Sequence, residues 1–235
     1  MKINITRQDR EGLSKVFENF GRKKTDEEIF YDLCFTILAP QTKFQNNIKV
    51  IKDLQDRQFY LYKLTKPENL GYWEHTLPEI LKPVRFYKNK TKYILEAKKK
   101  FPEILRAISS LDTWDNKESI HIVDIYKIRE WLIDNVKGMG YKTASHFLRN
   151  MGNTEVAIID THIIKFLAEE LCVTFGLTYE EAVKEFRKQA GKKEGYLALE
   201  KLFQNIAKQN GLSCAELDSF LWKYYSGTSW EDFKY

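Results

Sequence analysis

The sequence predicts an all-α fold. Two observations carry this: apolar residues recur at helical spacing in nearly every segment, and no run of alternating β-branched residues lasts long enough to make a sheet. In chain order, Thr25-Asp26-Glu27-Glu28 is a capping box that opens an apolar helix over 29–38, stopped at Pro40. Helical periodicity then covers 44–54, 89–100, 125–136, 143–150, 161–172, 179–189, 197–209 and 214–225. Turns are expected at Lys66-Pro67, over 78–83 and 150–154, at Gly176, over 191–195 and at Gly211. The sequence contains no internal repeat and no low-complexity tract.

With 235 residues, 43% of them hydrophobic, the chain can bury a sizeable core in one domain or two small ones. No stretch approaches transmembrane length, and MKINITRQDREG lacks the apolar centre of a signal peptide, so no membrane association is expected. Cys34, Cys172 and Cys214 lie far apart without metal-ligand spacing. That predicts no metal and a reduced, intracellular setting in cytoplasm or nucleoid. The net charge of +5 is unevenly placed: nine Lys or Arg fall between positions 82 and 106, against Glu96 and Glu103. Phe86, Tyr87 and Tyr93 are interleaved with them. Lys88, Lys90 and Lys92 are therefore candidates for phosphate contacts, although a solvated helix face would show the same pattern.

The most informative stretch is VKGMGYKTASHFLRNMGNTEVAIIDTH, residues 136–162. Gly138 and Gly140 suit a tight turn whose backbone takes conformations closed to larger residues. Backbone N–H groups at that turn and at the start of the next helix make a seat for a phosphate, which marks both glycines as candidate DNA-backbone contacts. Lys142 stands at the helix start and Asp160 eighteen residues later. An amine that attacks a sugar carbon must first give up its proton, and the positive end of a helix dipole disfavours an ammonium. Asp160 could stabilise positive charge on the sugar or move protons. Each also has a plainer explanation: a surface lysine, and an N-cap for the helix that begins at Thr161. His162 alone is better explained by packing.

This combination resembles the helix-hairpin-helix DNA glycosylases, with a Gly/Pro-rich loop and a distal aspartate. Gly140-Tyr141-Lys142, followed by Ala144-Ser145-His146-Phe147-Leu148-Arg149-Asn150, is similar to the type 2 branch of 8-oxoguanine DNA glycosylase/lyases. Leu38-Ala39-Pro40-Gln41-Thr42 resembles the loop after that family's early apolar helix. The stretch Val84-Arg85-Phe86-Tyr87-Lys88-Asn89-Lys90-Thr91-Lys92-Tyr93-Ile94 resembles its basic central helix start, and Leu217-Asp218-Ser219-Phe220-Leu221-Trp222 its last helix. Together these span most of residues 30–225 in the family's order.

The resemblance implies two helical lobes flanking a DNA-binding cleft. Mapped here, residues 1–43 would pack with a C-terminal lobe over 153–235, and 44–152 would form the central lobe with its hairpin at 136–150. It implies a bifunctional glycosylase and abasic-site lyase that excises 8-oxoguanine from double-stranded DNA. Lys142 would form the Schiff base and Asp160 would face it. No cofactor is implied, because the cysteine spacing excludes the iron–sulfur cluster of related branches. A monomer is expected. By the same resemblance, the backbone at Pro40 would accept the N7 proton that marks 8-oxoguanine. Gln41 would fill the gap in the duplex and Trp222 would stack on the extruded base. Simpler roles for these three are a helix stop, a solvated side chain and a core residue. The chain departs from the branch in continuing thirteen residues past Trp222, where a terminal lysine carboxylate usually helps to read the base. The carboxylate of Tyr235, or Glu231 or Asp232, could replace it. Alternatives are the same chemistry on an oxidised pyrimidine, or a non-catalytic DNA-binding module.

Overall fold

The computed structural model describes residues 3–20, 22–109, 122–227 and 229–230. Among these, every regular element is helical. The α-helices are α1 (Arg7–Phe20), α2 (Asp26–Leu38), α3 (Phe44–Asp56), α4 (Pro67–Leu81), α5 (Tyr87–Ser109) and α6 (Ile122–Asn135). They continue as α7 (Tyr141–Asn150), α8 (Thr161–Leu171), α9 (Tyr179–Ala190), α10 (Lys193–Gln209) and α11 (Cys214–Ser226). A short 3-10 turn, Phe59–Leu61, joins α3 to α4. Helices α1 and α4 were not expected from periodicity. In α4, Pro67 takes the first turn, where its missing N–H costs nothing. The helix then runs through Pro78, where a turn was expected, because buried Leu77, Ile80 and Leu81 hold it on both sides.

The chain divides into two compact units, Lys23–Phe147 and Met1–Arg22 with Leu148–Tyr235. The boundaries differ from those expected at 43/44 and 152/153. Helix α2 belongs with the central helices because it packs against α3 and α5. Its Phe30 is wholly buried and meets the Phe101 ring of α5 at 5.1 Å and the Phe59 ring at 5.6 Å. The capping box at Thr25 and Glu28 starts that helix as its sequence predicts.

The second unit combines α1 with α8–α11, α1 packing on α11. Asp9 in α1 accepts from Lys223 of α11 at 2.7 Å and from the Trp230 indole at 3.1 Å. Gly12 lets the Trp230 ring lie directly on α1, since a Cβ there would be 2.3 Å from the ring. Trp230, in the extension beyond α11, is thus docked on α1. Glu231, Asp232 and Tyr235, the candidate base-reading carboxylates, lie outside the described residues.

Candidate functional site

The hairpin turn and the start of α7, with Lys142, lie in the unit Lys23–Phe147. After α6, Met139 N donates to the Val136 carbonyl at 3.1 Å, and Gly138 takes φ +87°. A Cβ at Gly138 would stand 2.6 Å from Cδ2 of Tyr93, so the position requires glycine twice over. Gly140 does not. Its φ is not positive, and a Cβ there would meet nothing within 4 Å. Its carbonyl instead accepts the first helical hydrogen bond of α7, from Ala144 N at 2.9 Å. The N–H groups of Tyr141, Lys142 and Thr143 precede that first helical bond, and no acidic side chain occupies the first turn. Lys142 is exposed there, while Thr143, Ala144, Ser145 and Phe147 are buried. The amphipathic pattern of α7 therefore orients Lys142 outward.

Buried polar contacts fix this helix start. Arg129 of α6 is 1% exposed, and its guanidinium lies 5.0 Å from the Tyr126 ring and 5.3 Å from the Tyr141 ring. It also donates to the Ser145 hydroxyl at 3.0 Å. The Tyr141 hydroxyl donates to Glu130. From α5, Lys100 caps the end of α6 by donating to the Asn135 carbonyl at 3.0 Å, and Glu96 pairs with Lys137 at 2.8 Å.

The basic segment does not form one face. Lys88 and Lys92 are exposed, but Lys90 is turned inward and is only 5% exposed. The expectation that Lys90 touches the DNA backbone is corrected on this ground. Its ammonium donates to the carbonyls of Leu38 at 2.8 Å and Pro40 at 2.7 Å, and to the Thr42 hydroxyl at 3.0 Å. Burial lowers its pKa to about 8. Lys98 also faces in, its ammonium 4.5 Å from the Phe30 ring centre and 4.4 Å from that of Tyr60, with its pKa again lowered to about 8 by burial.

The corner that Lys90 grips is a tight turn in which Thr42 N donates to the Ala39 carbonyl at 3.0 Å. Pro40 holds its second position, and Gln41 its third with φ +56°, the pattern of a type II turn. A left-handed residue with a side chain costs about 1–2 kcal/mol. Gln41 is exposed at the tip. The Pro40 carbonyl, expected to await a base, is already engaged by Lys90, and the Thr42 hydroxyl lies 3.5 Å from it.

Asp160 lies in the other unit, at the end of the buried irregular segment Val156, Ala157, Ile158 and Ile159. Such backbone needs partners. Asn153 Oδ1 accepts from Glu155 N and Val156 N at 3.0 Å each, and Glu200 accepts from Ala157 N at 2.9 Å. The Tyr196 hydroxyl donates to the Ala157 carbonyl at 2.8 Å and accepts from Ile159 N at 3.2 Å. Delivered this way, Asp160 N-caps α8 with φ −106°, and its Oδ1 accepts from His162 N at 2.7 Å and Ile163 N at 3.0 Å. Oδ2 has no hydrogen bond among the described residues. His162 is half-buried and stacks on Tyr225 at 5.7 Å. Burial, and then the Glu169 carboxylate that accepts from its hydroxyl at 2.6 Å, raise the Tyr225 pKa well above its ordinary value. Trp222 is partly buried in the same unit and packs against Val16 with Phe17 and Trp230.

The sequence reading missed Lys90, Arg129, Tyr196 and Glu200 as supports. One signal was available. Lys90 heads the buried stripe Ile94, Ala97, Phe101, Ile104 of α5, and Glu200 interrupts the stripe Tyr196, Leu199, Phe203, Ala207 of α10. A charge placed on an apolar face implies a buried partner. Among the described residues, no three His, Cys, Asp or Glu side chains converge to hold a metal, and no helix is long and apolar enough to cross a membrane.

A model of the 8-oxoguanine DNA glycosylase family with helix-hairpin-helix architecture matches residues 10–212. The chain belongs to this family. An 8-oxoguanine DNA glycosylase/AP lyase of Korarchaeum cryptofilum is 31% identical over 93% of this chain and 90% of its own length. The crystal structure of 8-oxoguanine DNA glycosylase from Methanocaldococcus jannaschii superposes with a TM-score of 0.70 at 30% identity, covering 93% of this chain and 88% of that one. The Methanocaldococcus jannaschii glycosylase/lyase in complex with a 15mer DNA containing 8-oxoguanine gives a TM-score of 0.68 at 28% identity, covering 93% of this chain and 91% of that one. Both family membership and the helical architecture agree with the sequence reading.

Proposed function

We propose that this protein is a base-excision repair enzyme, a bifunctional DNA glycosylase/AP lyase that removes 8-oxoguanine from double-stranded DNA and nicks the resulting abasic site. The observation that carries the reading is an outward-facing Lys142 at the start of α7, directly after the glycine turn, in a member of this glycosylase family. The hairpin N–H groups and the exposed Lys88 and Lys92 hold phosphates. The Lys142 amine attacks C1′ of an extruded nucleotide, and the bonding pair of the N-glycosidic bond leaves with the base. The sugar ring opens to a Schiff base, which acidifies the adjacent C–H, and β-elimination breaks the bond to the 3′ phosphate. Asp160 has one oxygen committed to the cap of α8 and the other open, which suits it to stabilise positive charge on the sugar. Gln41 fills the vacated space in the duplex, and the protein works as a monomer without a cofactor.

The test is incubation with duplexes carrying single lesions, with and without borohydride. A trapped covalent adduct and a nick are expected with 8-oxoguanine in preference to oxidised pyrimidines. Lys142→Gln should abolish trapping while damaged duplex is still bound. A variant that still traps and cleaves removes Lys142 from the nucleophile's role.

A further inference from the structure

Lys90 is a buried charged side chain that the proposed chemistry leaves without a part. A lysine ammonium has three donors, and here all three are used on one corner of the chain: the Leu38 carbonyl, the Pro40 carbonyl and the Thr42 hydroxyl. The Pro40 contact has a specific consequence. A turn with proline second and a positive φ third differs from the commonest turn by a flip of the peptide between those two residues. That peptide carries the Pro40 carbonyl and the Gln41 N–H, which a planar trans bond points in opposite directions. The ammonium therefore fixes which way the peptide faces, with the carbonyl toward Lys90 and the Gln41 N–H away from it. It also offsets the left-handed strain at Gln41. Without it, the corner is free to relax to an ordinary φ, with Gln41 redirected.

We propose that Lys90 is a positioning residue for lesion excision, holding the 38–42 corner so that Gln41 points where it can occupy the space left by an extruded base. This rests on the glycosylase reading above, within which Gln41 has that part. Excision of a base that begins stacked in the duplex depends on this corner. Nicking at a preformed abasic site, where no base remains to be extruded, depends on it far less.

The experiment compares single-turnover excision of 8-oxoguanine with nicking of a preformed abasic duplex, with a melting temperature for each protein. Hydrogen bonds to a charged group are strong enough that Lys90→Met should lower the ratio of excision to nicking by about 10- to 100-fold. Thr42→Val, which removes one acceptor and leaves the lysine, should lower the ratio by about three- to tenfold. A wild-type ratio in either variant, or a parallel loss of both activities, overturns the proposal. If Lys90→Met does not fold, Thr42→Val decides by the same criterion. Wild-type protein that nicks abasic sites but does not excise 8-oxoguanine would instead refute the functional reading itself.

Discussion

Asp160→Asn separates the two roles that one carboxylate combines. In the structure, Oδ1 alone accepts both capping hydrogen bonds, from His162 N at 2.7 Å and Ile163 N at 3.0 Å. An asparagine amide oxygen can accept the same pair, and Asn caps helices about as well as Asp. What the substitution removes is the negative charge at the positive end of α8, worth about 0.3–1 kcal/mol. For a chain of this length that is a fall in melting temperature of at most about 4 °C. Asp160→Ala removes the cap as well and should cost about 0.5–2 kcal/mol. Excision should behave differently: the lost charge and proton acceptor should slow it by about 10²- to 10⁴-fold in both variants. Melting curves and single-turnover excision on the same preparations provide the comparison. A folded Asp160→Asn protein that excises at nearly the wild-type rate would reduce Asp160 to a helix cap. A loss confined to Asp160→Ala would assign the effect to stability.

Other outcomes follow from the same geometry. Lys142→Gln should end borohydride trapping without ending binding, as measured by gel shift beside the trapping assay. Replacing the exposed Lys88 and Lys92 by Ala should weaken binding to damaged and undamaged duplex alike and reduce the salt slope by about two, at about 0.9 for each lost phosphate contact. An unchanged slope would turn this face away from DNA. Gly138→Ala should cost at least about 1–2 kcal/mol for left-handed backbone alone, before the approach to Tyr93, and more than Gly140→Ala by denaturant titration. Asp9 gives a pH signature. Burial alone would raise its pKa, but hydrogen bonds from Lys223, Thr6 and Trp230 outweigh that and lower it to about 2 from 3.8. A lowered carboxylate pKa stabilises the fold above pH 3.8, and the contribution is lost as pH falls through 2. The loss is on the order of 2 kcal/mol. Asp9→Asn should flatten stability against pH over that window.

Much of the fold was legible in the chain because helical signals are local. The capping box at Thr25, the cap at Asp160 and the apolar stripes of α2, α8 and α10 are each written within a few residues of where they act. Helices α1 and α4 were harder to read. One carries a thin stripe, Leu13 and Val16, and the other is crossed by Pro78, so burial rather than local preference sustains them. The placement of α2 among the central helices likewise depends on Phe30 meeting Phe59 and Phe101, contacts between residues far apart in sequence.

For the candidate site, the sequence by itself determined the turn, the outward lysine after it and the aspartate at the next helix cap. These follow from glycine's backbone freedom, the 3.6-residue period of α7 and the capping preference of Asp. Only the tertiary structure decided what Lys88, Lys90 and Lys92 do. Neighbours two positions apart project in different directions from a helix, so Lys88 and Lys92 reach solvent while Lys90 enters the interior. The acceptors that Lys90 finds lie 48–52 residues away, at Leu38, Pro40 and Thr42. A charge can remain in such surroundings only when each of its donors is met. Which carbonyls meet them is fixed by the packing of α2 against α5, and not by either helix alone.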